Sequence, residues 1–440
     1  MARAKKEAAL TPEERLQAAL VPDWEWPYKL PENWCWLKLV ESFDNHTDSK
    51  QKIKQKEYLV KGKLAVVDQG QELIGGYTND VEKSYSGALP IVIFGDHTRC
   101  IKFVDFPFAQ GADGVKVLRP KPFYLPKAFY YALQSVNIPN LGYRRHFPLF
   151  NKFSIPLPPF AEQQRIVDRI ESLFAKLDEA KEKAQAVVDS FETRKAAILH
   201  KAFTGELTAK WREDHDVGME SWEYKTFEAI VENMQNGLAK RNGISGTPYV
   251  VLRLANLTDC GFNTDDLREI LLDEKEQANY ELRPNDVIMI RVNGSKDNVG
   301  KQYLITNQHH WAFCDHIIRI QYSNRLLPQY MIYFSRSKNY RIYVKENIVS
   351  SAGQNTISRK GMVGLVVPIP CLNEQFEIVH ILDDLFSKEQ QSKEAAEAAL
   401  DQINLMKKSI LARAFRGELG TNDPNEESAV ELLKKVFQKE

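Results

Sequence analysis

Apolar residues along positions 166–191 recur at alternating steps of four and three, the spacing of one face of a helix. These residues are Ile166, Ile170, Leu173, Leu177, Ala180, Ala184, Val187 and Phe191. Pro156 and Pro158 precede the pattern and keep the entering chain extended, and Gly205 supplies a stop signal. The pattern predicts one helix of about 60 Å, at 1.5 Å per residue, with an apolar seam that requires a partner helix.

The same segment occurs twice in the chain. A shift of 212 residues places positions 154–208 on positions 366–420 without a gap, so a second long helix is predicted. Its seam is weaker, because Glu389 and Ser392 replace Leu177 and Ala180. We expect the two helices to pair in antiparallel orientation; the alternative is that each packs separately on its own domain. Matched pairs include Pro156/Pro368, Glu162/Glu374, Gln163/Gln375, Ile166/Ile378, Phe203/Phe415 and Gly205/Gly417.

Two blocks that alternate with the helices, roughly residues 22–155 and 222–367, share a common plan with little identity. Each opens with tryptophan, continues through short β-type runs and then reaches a Leu-Pro step into an aromatic helix, at Leu125 and Leu327. Proline suits the first turn of a helix because its missing N–H would be unpaired there. The prediction is a pair of duplicated and diverged α+β domains. The predicted divisions are an N-terminal segment at 1–21, domains at 22–155 and 211–367, helical regions at 156–210 and 368–420, and a tail at 421–440.

Composition excludes several classes of protein. The 440 residues are 43% hydrophobic and 27% charged, which is typical of globular domains rather than of a disordered chain. No apolar run approaches the ~20 residues of a membrane span, and the first residues lack the apolar stretch of a signal peptide. Five scattered cysteines without a Cys-x-x-Cys motif favour the reducing cytoplasm over disulfides or structural zinc.

The net charge is zero, but its distribution along the chain is uneven. Positions 22–155 carry 18 basic and 14 acidic residues, and positions 222–367 carry 18 and 15, so both blocks are mildly basic. The helical and terminal regions are correspondingly acidic. This distribution points to an anionic partner for the two blocks.

Motifs for catalysis are missing. The sequence has no GxxxxGK[ST] phosphate loop, no Asn/Asp-Pro-Pro-Tyr motif and no cluster of histidines or cysteines with the spacing of metal ligands. The best catalytic candidates are Asp96 with His97 and Asp315 with His316, each beside a β-type run where a structural role is the simpler reading. A self-contained nuclease or hydrolase that uses them is the alternative function.

Basic and amide side chains gather in loops of both blocks. No acidic residue lies between Asp113 and Glu162 or between Glu346 and Glu374, and residues 50–63 are rich in lysine. Lysine and arginine can neutralise DNA phosphates, while arginine, asparagine and glutamine can also address base edges. The alternative is that these side chains form an ordinary solvent-exposed surface without a binding function. The candidate DNA-binding residues are Lys54, Lys56, Gln69, Gln71, Arg99, Arg144, Arg145, His146, Arg253, Arg291, Asn293, Lys296, Asn298, Gln354, Asn355 and Arg359.

The repeated motifs carry a family resemblance. IPLPPFAEQQRIVDRIESLF with AFTGEL, repeated as VPIPCLNEQFEIVHILDDLF with AFRGEL, resembles the specificity (S) subunits of type I restriction–modification systems. The resemblance covers nearly the whole chain. It implies an α+β fold with two pseudo-twofold-related target-recognition domains, separated by a pair of long antiparallel helices.

The resemblance also implies a function. Each recognition domain would read one half of a bipartite site in double-stranded DNA, and the helices would fix the spacer between the halves. The chain would be a non-catalytic cytoplasmic subunit that binds no metal or cofactor and no membrane. Its partners would be two methyltransferase (M) subunits, which use S-adenosylmethionine, and restriction (R) subunits, which use ATP and Mg²⁺. A scaffold that merely holds partners is a third hypothesis, but it leaves the base-capable loops unexplained.

The tail beyond the second repeat contains an amphipathic stretch at 429–437. We expect this stretch to meet the N-terminal segment at 13–20 or to touch an M subunit.

Overall fold

The computed structural model describes residues 11–48, 50–259 and 261–439. The first ten residues of the predicted N-terminal segment, and Cys260, lie outside the described residues. The chain divides into two compact units, residues 1–184 with 398–440, and residues 185–397. Each unit contains one predicted α+β block and parts of both long helices.

Through the first long helix, the elements are α1 (Pro12–Ala19), β1 (Cys35–Lys38), β2 (Phe43–Asn45), β3 (Leu64–Val67), β4 (Gly76–Thr78), β5 (Ile91–Gly95), β6 (Ile101–Val104), β7 (Phe108–Gln110), β8 (Val115–Pro120), α2 (Pro126–Ser135), β9 (Ser154–Leu157) and α3 (Phe160–Phe203). The chain continues with α4 (Ala209–Asp214), β10 (Glu223–Thr226), α5 (Phe227–Ile230), β11 (Val231–Asn236), β12 (Thr247–Leu252), β13 (Leu257–Thr258), β14 (Gly261–Phe262), β15 (Glu269–Leu272), α6 (Glu274–Tyr280), β16 (Val287–Ile290) and β17 (Val292–Asn293). It ends with β18 (Gln302–Leu304), β19 (Trp311–Phe313), β20 (Ile317–Tyr322), α7 (Pro328–Phe334), α8 (Lys338–Glu346), β21 (Val349–Ser351), β22 (Gln354–Thr356), α9 (Arg359–Met362), β23 (Val366–Ile369), α10 (Leu372–Ala414) and α11 (Ala429–Phe437).

The two long helices, α3 and α10, pack against each other within each unit. In the first unit the ammonium of Lys407 lies over the ring of Phe174, 4.9 Å from its centroid, and pairs with Asp178. In the second unit Lys393 lies 4.9 Å from the centroid of Phe191. As the residue number increases along α3, from Phe174 to Phe191, the number of the contacting residue on α10 decreases, from Lys407 to Lys393. The predicted antiparallel pairing is therefore confirmed.

The weak part of the predicted seam is occupied by an ion pair. Glu389, which replaces the repeat's leucine, accepts a hydrogen bond of 2.7 Å from Nε of Arg194 on the other helix. Several predicted seam residues are only half-buried, and Ala180 is exposed, because two helices alone cannot enclose a seam. The pairing therefore combines apolar and ionic contacts rather than following an ideal coiled coil.

The first unit contains two small sheets and a two-stranded ribbon. An antiparallel sheet has the order β2-β8-β5-β6, a second sheet has the order β4-β3-β7 with β3 parallel to β7, and β1 pairs with β9. Helix α2 begins with Pro126 at its first turn and buries Phe129 and Tyr131 in the core, as its sequence predicts.

The second unit repeats this topology with different residues. Its sheets have the orders β11-β20-β16-β18 and β15-β12-β19, with β12 parallel to β19, and β10 pairs with β23. Helix α7 starts at Pro328 and corresponds to α2. The second unit adds the sheet β17-β22-β21 and the hairpin β13-β14. The duplication predicted from the helices therefore extends to the blocks that share little identity.

A buried glutamate at the start of each long helix ties three chain segments together. Glu162 is fully buried and accepts hydrogen bonds from the indole N–H of Trp34 (2.7 Å) and the hydroxyl of Thr421 (3.0 Å). Its repeat partner Glu374, also fully buried, accepts from Trp222 (3.0 Å) and Thr208 (2.6 Å). In both units the tryptophan precedes the ribbon strand, and the threonine follows the far end of a long helix.

The environments of these two carboxylates differ in one respect. Glu374 also pairs with the guanidinium of Arg212 at 2.5 Å, and both side chains are buried. Among the described residues Glu162 makes no direct ion pair, and the nearby Arg165 pairs with Glu426 instead. A directly bound guanidinium therefore offsets the desolvation of Glu374, whereas Glu162 has two neutral donors and only the indirect effect of the charge on Arg165.

The tail closes on the N-terminal segment in the first unit. Ala429, Leu433 and Phe437 of α11 are buried in the same core as Leu16 and Ala19 of α1. The guanidinium of Arg15 lies 4.9 Å from the ring centroid of Phe437. The predicted contact between residues 13–20 and the amphipathic tail is confirmed.

We predict opposite effects for the same substitution at the two glutamates. Glu374→Gln leaves the buried guanidinium of Arg212 without its counter-charge and should lower the unfolding free energy of the second unit by about 3 kcal/mol. Glu162→Gln keeps an acceptor for Trp34 and should leave the first unit equally or slightly more stable at neutral pH. Chemical denaturation of the full chain, with probes in each unit, measures both effects. Equal losses at the two positions would contradict the assigned difference.

The pKa of Glu162 gives a pH-dependent prediction. Burial raises this pKa above its ordinary value of 4.5, against the lowering effect of the hydrogen bonds from Trp34 and Thr421. The stability supplied by the neutral carboxyl is thus present below about pH 4.5 and is lost as the pH rises through the folded pKa. The unfolding free energy of Glu162→Gln, relative to the unchanged protein, should therefore rise from acidic to neutral pH. Denaturant titrations across this range test the sign, and a falling difference would refute it.

Candidate nucleic-acid interface

One glutamine joins three loops at one end of the first unit. These loops follow β3, β5 and β7. The side-chain oxygen of Gln69 accepts from the backbone N–H of His97 (3.1 Å), and its side-chain nitrogen donates to the carbonyl of Asp113 (3.0 Å). The hydroxyl of Thr98 donates to the backbone carbonyl of Gln69 (2.6 Å). Gln69 was predicted as a DNA contact, but both ends of its amide are engaged inside the protein.

A buried aspartate fixes a fourth loop, residues 140–146, at the same end. Oδ1 of Asp96 accepts from the backbone N–H groups of His146 (2.9 Å) and Phe147 (2.7 Å). The His146 ring is fully buried, with Nδ1 2.8 Å from the Asp96 carbonyl and Nε2 accepting from the backbone of Leu141. His146 therefore has no surface to offer to DNA and is corrected to a structural residue.

This anchored loop presents an exposed tip. Tyr143 is 85% exposed, and its ring stacks on His97 with centroids 5.0 Å apart. Arg144 and Arg145 are exposed, and they make no hydrogen bond or ion pair with the described part of the chain. The lysine-rich segment reaches the same end, because Lys52 pairs with Asp113 at 3.6 Å. Cationic and aromatic side chains thus project from a base that buried hydrogen bonds hold in place.

The candidates of the second unit lie on several elements. Arg253 follows β12, Arg291 follows β16, residues 293–298 lie in and after β17, and the others lie in β22 and α9. Asp315 pairs with Arg241 at 3.1 Å, and its backbone carbonyl accepts from Arg291 (3.2 Å). Asn355 is nearly buried and donates to the carbonyl of Gly294 (2.8 Å), which joins the sheet β17-β22-β21 to the loop at 294–298. These contacts join the loop after β19 to Arg291 and join β22 to the loop at 294–298.

The structure separates the predicted residues into two groups. Eight have side chains engaged in hydrogen bonds within the protein: Gln69, Arg99, His146, Arg253, Arg291, Asn293, Asn298 and Asn355. The other eight are exposed and have no side-chain hydrogen bond or ion pair with the described residues: Lys54, Lys56, Gln71, Arg144, Arg145, Lys296, Gln354 and Arg359. The second group has its full hydrogen-bonding capacity available to a ligand, whereas each member of the first group has at least part of that capacity engaged within the protein.

The catalytic alternatives have structural partners. Asp96 is occupied by the backbone of residues 146–147, and the ring of His97 lies 3.1 Å from the carbonyl of Tyr143 rather than next to Asp96. Nδ1 of His316 lies 3.1 Å from Asp315, whose carboxylate also pairs with Arg241. The consecutive residues 314–316 form a compact group of metal-ligand types within the described residues, but the neighbouring guanidinium opposes a cation there.

Sequence reasoning missed two residues at this end, Tyr143 and Arg241. Arg241 lies in the loop between β11 and β12, which corresponds topologically to the lysine-rich loop between β2 and β3. Its signal, the Lys240-Arg241-Asn242-Gly243 run, is short and becomes informative only once the two sheets are matched.

A model of the type I restriction modification DNA specificity domain matches residues 31–188 and 226–400, which is more than half of the chain. The chain belongs to the type I restriction–modification specificity family. The resemblance predicted from the repeated motifs is confirmed, and membership agrees with the prediction of a non-catalytic subunit. In the described part of the specificity chain, no helix is both long and apolar enough to cross a membrane.

Curated relatives match part of the chain. The StySPI specificity subunit of Salmonella potsdam is 35% identical over 273 residues, which cover 61% of this chain and 58% of the relative. The EcoKI specificity subunit of Escherichia coli K12 is 31% identical over 300 residues, which cover 65% of this chain and 64% of the relative. The chain thus spans less than two thirds of the length of these relatives.

Solved structures confirm the α+β fold class. The HsdS subunit from Thermoanaerobacter tengcongensis aligns with a TM-score of 0.55 at 18% identity, over 90% of this chain and 100% of that one. A chain from a study of complex assembly and conformational transition of the type I R-M system aligns with a TM-score of 0.59 at 19% identity. The alignment covers 89% of this chain and 100% of that one. At such identities the likeness concerns the fold alone.

We predict that Asp96→Ala loosens the exposed loop. The change removes the side-chain acceptor of the His146 and Phe147 N–H groups, while His146 keeps the backbone carbonyl of residue 96. The loss of the Phe147 acceptor should cost the first unit about 1–3 kcal/mol. Hydrogen exchange of residues 140–147 should accelerate more than exchange in the strands. Asp113→Ala, which removes an exposed carboxylate at the same end, is the control and should leave this exchange unchanged. Unaltered protection in Asp96→Ala would rule out the anchoring role.

Proposed function

We propose that this chain is the DNA-recognition subunit of a type I restriction–modification complex, in which each unit reads one half of a bipartite site. The observation that carries the proposal is the common placement of unpartnered cationic and amide side chains. Those of the first unit lie in the loops β2–β3, β3–β4 and α2–β9, and those of the second unit lie after β17, in β22 and in α9. Both sets are built around the same sheet topology, although the residues themselves differ. Two recognition surfaces that differ in their side chains but share one sheet topology could each bind a different DNA half-site.

The chemistry of these side chains suggests separate roles. Arg144, Arg145, Gln71 and Gln354 can form paired hydrogen bonds with guanine or adenine edges in the major groove. Lysines such as Lys54 and Lys296 can neutralise backbone phosphates and so supply affinity without sequence preference. The buried anchors, Asp96 in the first unit among them, would keep the reading side chains in register before DNA arrives.

The paired helices would set the spacer between the half-sites and dock the partner subunits. Helix α3 is continuous over 44 residues, and a rod of about 66 Å is long enough to act as a ruler. The proposed partners are two M subunits and R subunits in the cytoplasm. These partners would supply the S-adenosylmethionine, ATP and Mg²⁺ chemistry, and this chain would bind none of these groups.

Arginine substitutions at the exposed tip test the proposal. Arg144→Ala or Arg145→Ala should weaken binding by about 1–3 kcal/mol if the side chain reads a base, and the loss should concern one half-site only. Methylome sequencing of cells that express each variant with its M subunit identifies the half-site whose recognition relaxes.

Arg119→Ala is the matched control, because Arg119 is an exposed arginine on β8 near the end of the sheet opposite the loops. This variant should methylate the unchanged site. An equal loss of affinity on random DNA would make Arg144 and Arg145 phosphate contacts. A chain that cleaves DNA with Mg²⁺ alone would replace the proposal with the nuclease alternative.

A further inference from the structure

A cleft of about 490 Å³ lies within the second unit, outside the loops discussed above. One wall is the second half of α3, including Lys195 and Leu199, and Phe386 of α10 also contributes. The lining also includes Lys301, just before β18, Arg336, between α7 and α8, and Arg341 in α8. The cleft is thus built between the helix pair and the recognition sheet of a single unit.

The cleft has an excess of positive charge. Four cationic side chains line it, Lys195, Lys301, Arg336 and Arg341, against the carboxylates Glu192 and Asp259. The hydrogen bond from Lys301 lowers the pKa of Asp259, and Lys195 and Arg336 lie close enough to lower it further. Three cations therefore converge on one carboxylate, which neutralises only part of their charge.

Arg336 is the cation with spare capacity. It is exposed, it lies 5.6 Å from the ring centroid of Tyr333, and it makes no hydrogen bond or ion pair with the described residues. Lys195 has a 3.6 Å contact with the largely exposed Glu192 and lies 4.9 Å from the ring centroid of Phe191. A guanidinium and an ammonium that face one cleft offer several donors to the oxygens of an anion.

The cleft adjoins the candidate reading loop of the same unit. The guanidinium of Arg341 donates to the backbone carbonyls of Val299 (2.9 Å) and Asp297 (2.8 Å), so it holds the end of the loop that carries Lys296. Lys301 follows this loop directly. A duplex read by the loop would continue past the mouth of the cleft.

We propose that this cleft binds a phosphate of the DNA backbone beside the half-site read by the second unit, with Arg336 and Lys195 as its principal donors. The inference rests on the proposed function and adds to it a contact that is indifferent to sequence. A phosphodiester matches the positive charge, and Arg341 links its position to that of the reading loop. The contact would fix the register of the duplex against the helix pair.

The salt dependence of binding tests the cleft. The logarithm of the affinity for a 40-bp random duplex falls with the logarithm of salt concentration, by a slope of about 0.9 for each neutralised phosphate. Arg336→Ala and Lys195→Ala in the full chain should each reduce this slope by up to about 1. Arg336→Lys should retain the slope, and Asp259→Asn, which removes a repelling carboxylate, should strengthen binding. Thermal unfolding verifies that each variant is folded.

Arg325→Ala is the matched control, since Arg325 is exposed in the turn after β20, at the opposite end of the sheet. Its slope should equal that of the unchanged chain. An unchanged slope in both cleft variants would overturn the cleft proposal while leaving the proposed function intact. Loss of M-subunit binding at an unchanged slope would also overturn it, in favour of a protein-docking surface. A chain with no salt-dependent affinity for DNA would instead remove the proposed function itself.

Discussion

A carboxylate buried at the first turn of each long helix holds together chain segments that are distant in sequence. Glu162 joins Trp34 before the ribbon strand to Thr421 after α10, and Glu374 joins Trp222 to Thr208 in the same way. An ionisable group without partners would be too costly at these positions, so strand, helix and returning segment must arrive together. This requirement explains why the glutamate, the tryptophan and the Gly-Glu-Leu segment occur twice, whereas the recognition blocks diverge freely.

The same constraint separates scaffold from reading surface. Sheet order and the parallel pair survive in both units, while the loops at one end have exchanged almost every side chain. Buried polar anchors, Asp96 in one unit and Asn355 in the other, hold these loops by hydrogen bonds to backbone atoms. Because anchoring uses the backbone, the exposed neighbours remain free to change without loss of the fold. Under the proposed function, the base contacts of these loops can therefore change while the scaffold is kept.

Much of the scaffold could be predicted from sequence. Three local signals each predicted the correct element: the heptad spacing, proline at the start of α2 and glycine after α3. The repeat at 212 residues, a pattern of the whole sequence, predicted the second long helix. The candidate site was harder, because counting charges does not distinguish an exposed arginine from one already engaged. Arg144 and His146 stand two residues apart in the same basic loop, yet one is exposed and the other fully buried. The hydrogen bonds that decide whether a side chain is exposed, such as that from His146 to Asp96, join residues about fifty positions apart. Such long-range contacts produce no periodic pattern in the sequence.

Hydroxyl-radical footprinting of the full chain on DNA that contains its site tests the central claim most directly. Two recognition surfaces on one duplicated scaffold predict two protected patches on the duplex, separated by a gap whose sequence is immaterial. A single continuous patch, or protection that ignores sequence altogether, would contradict the account.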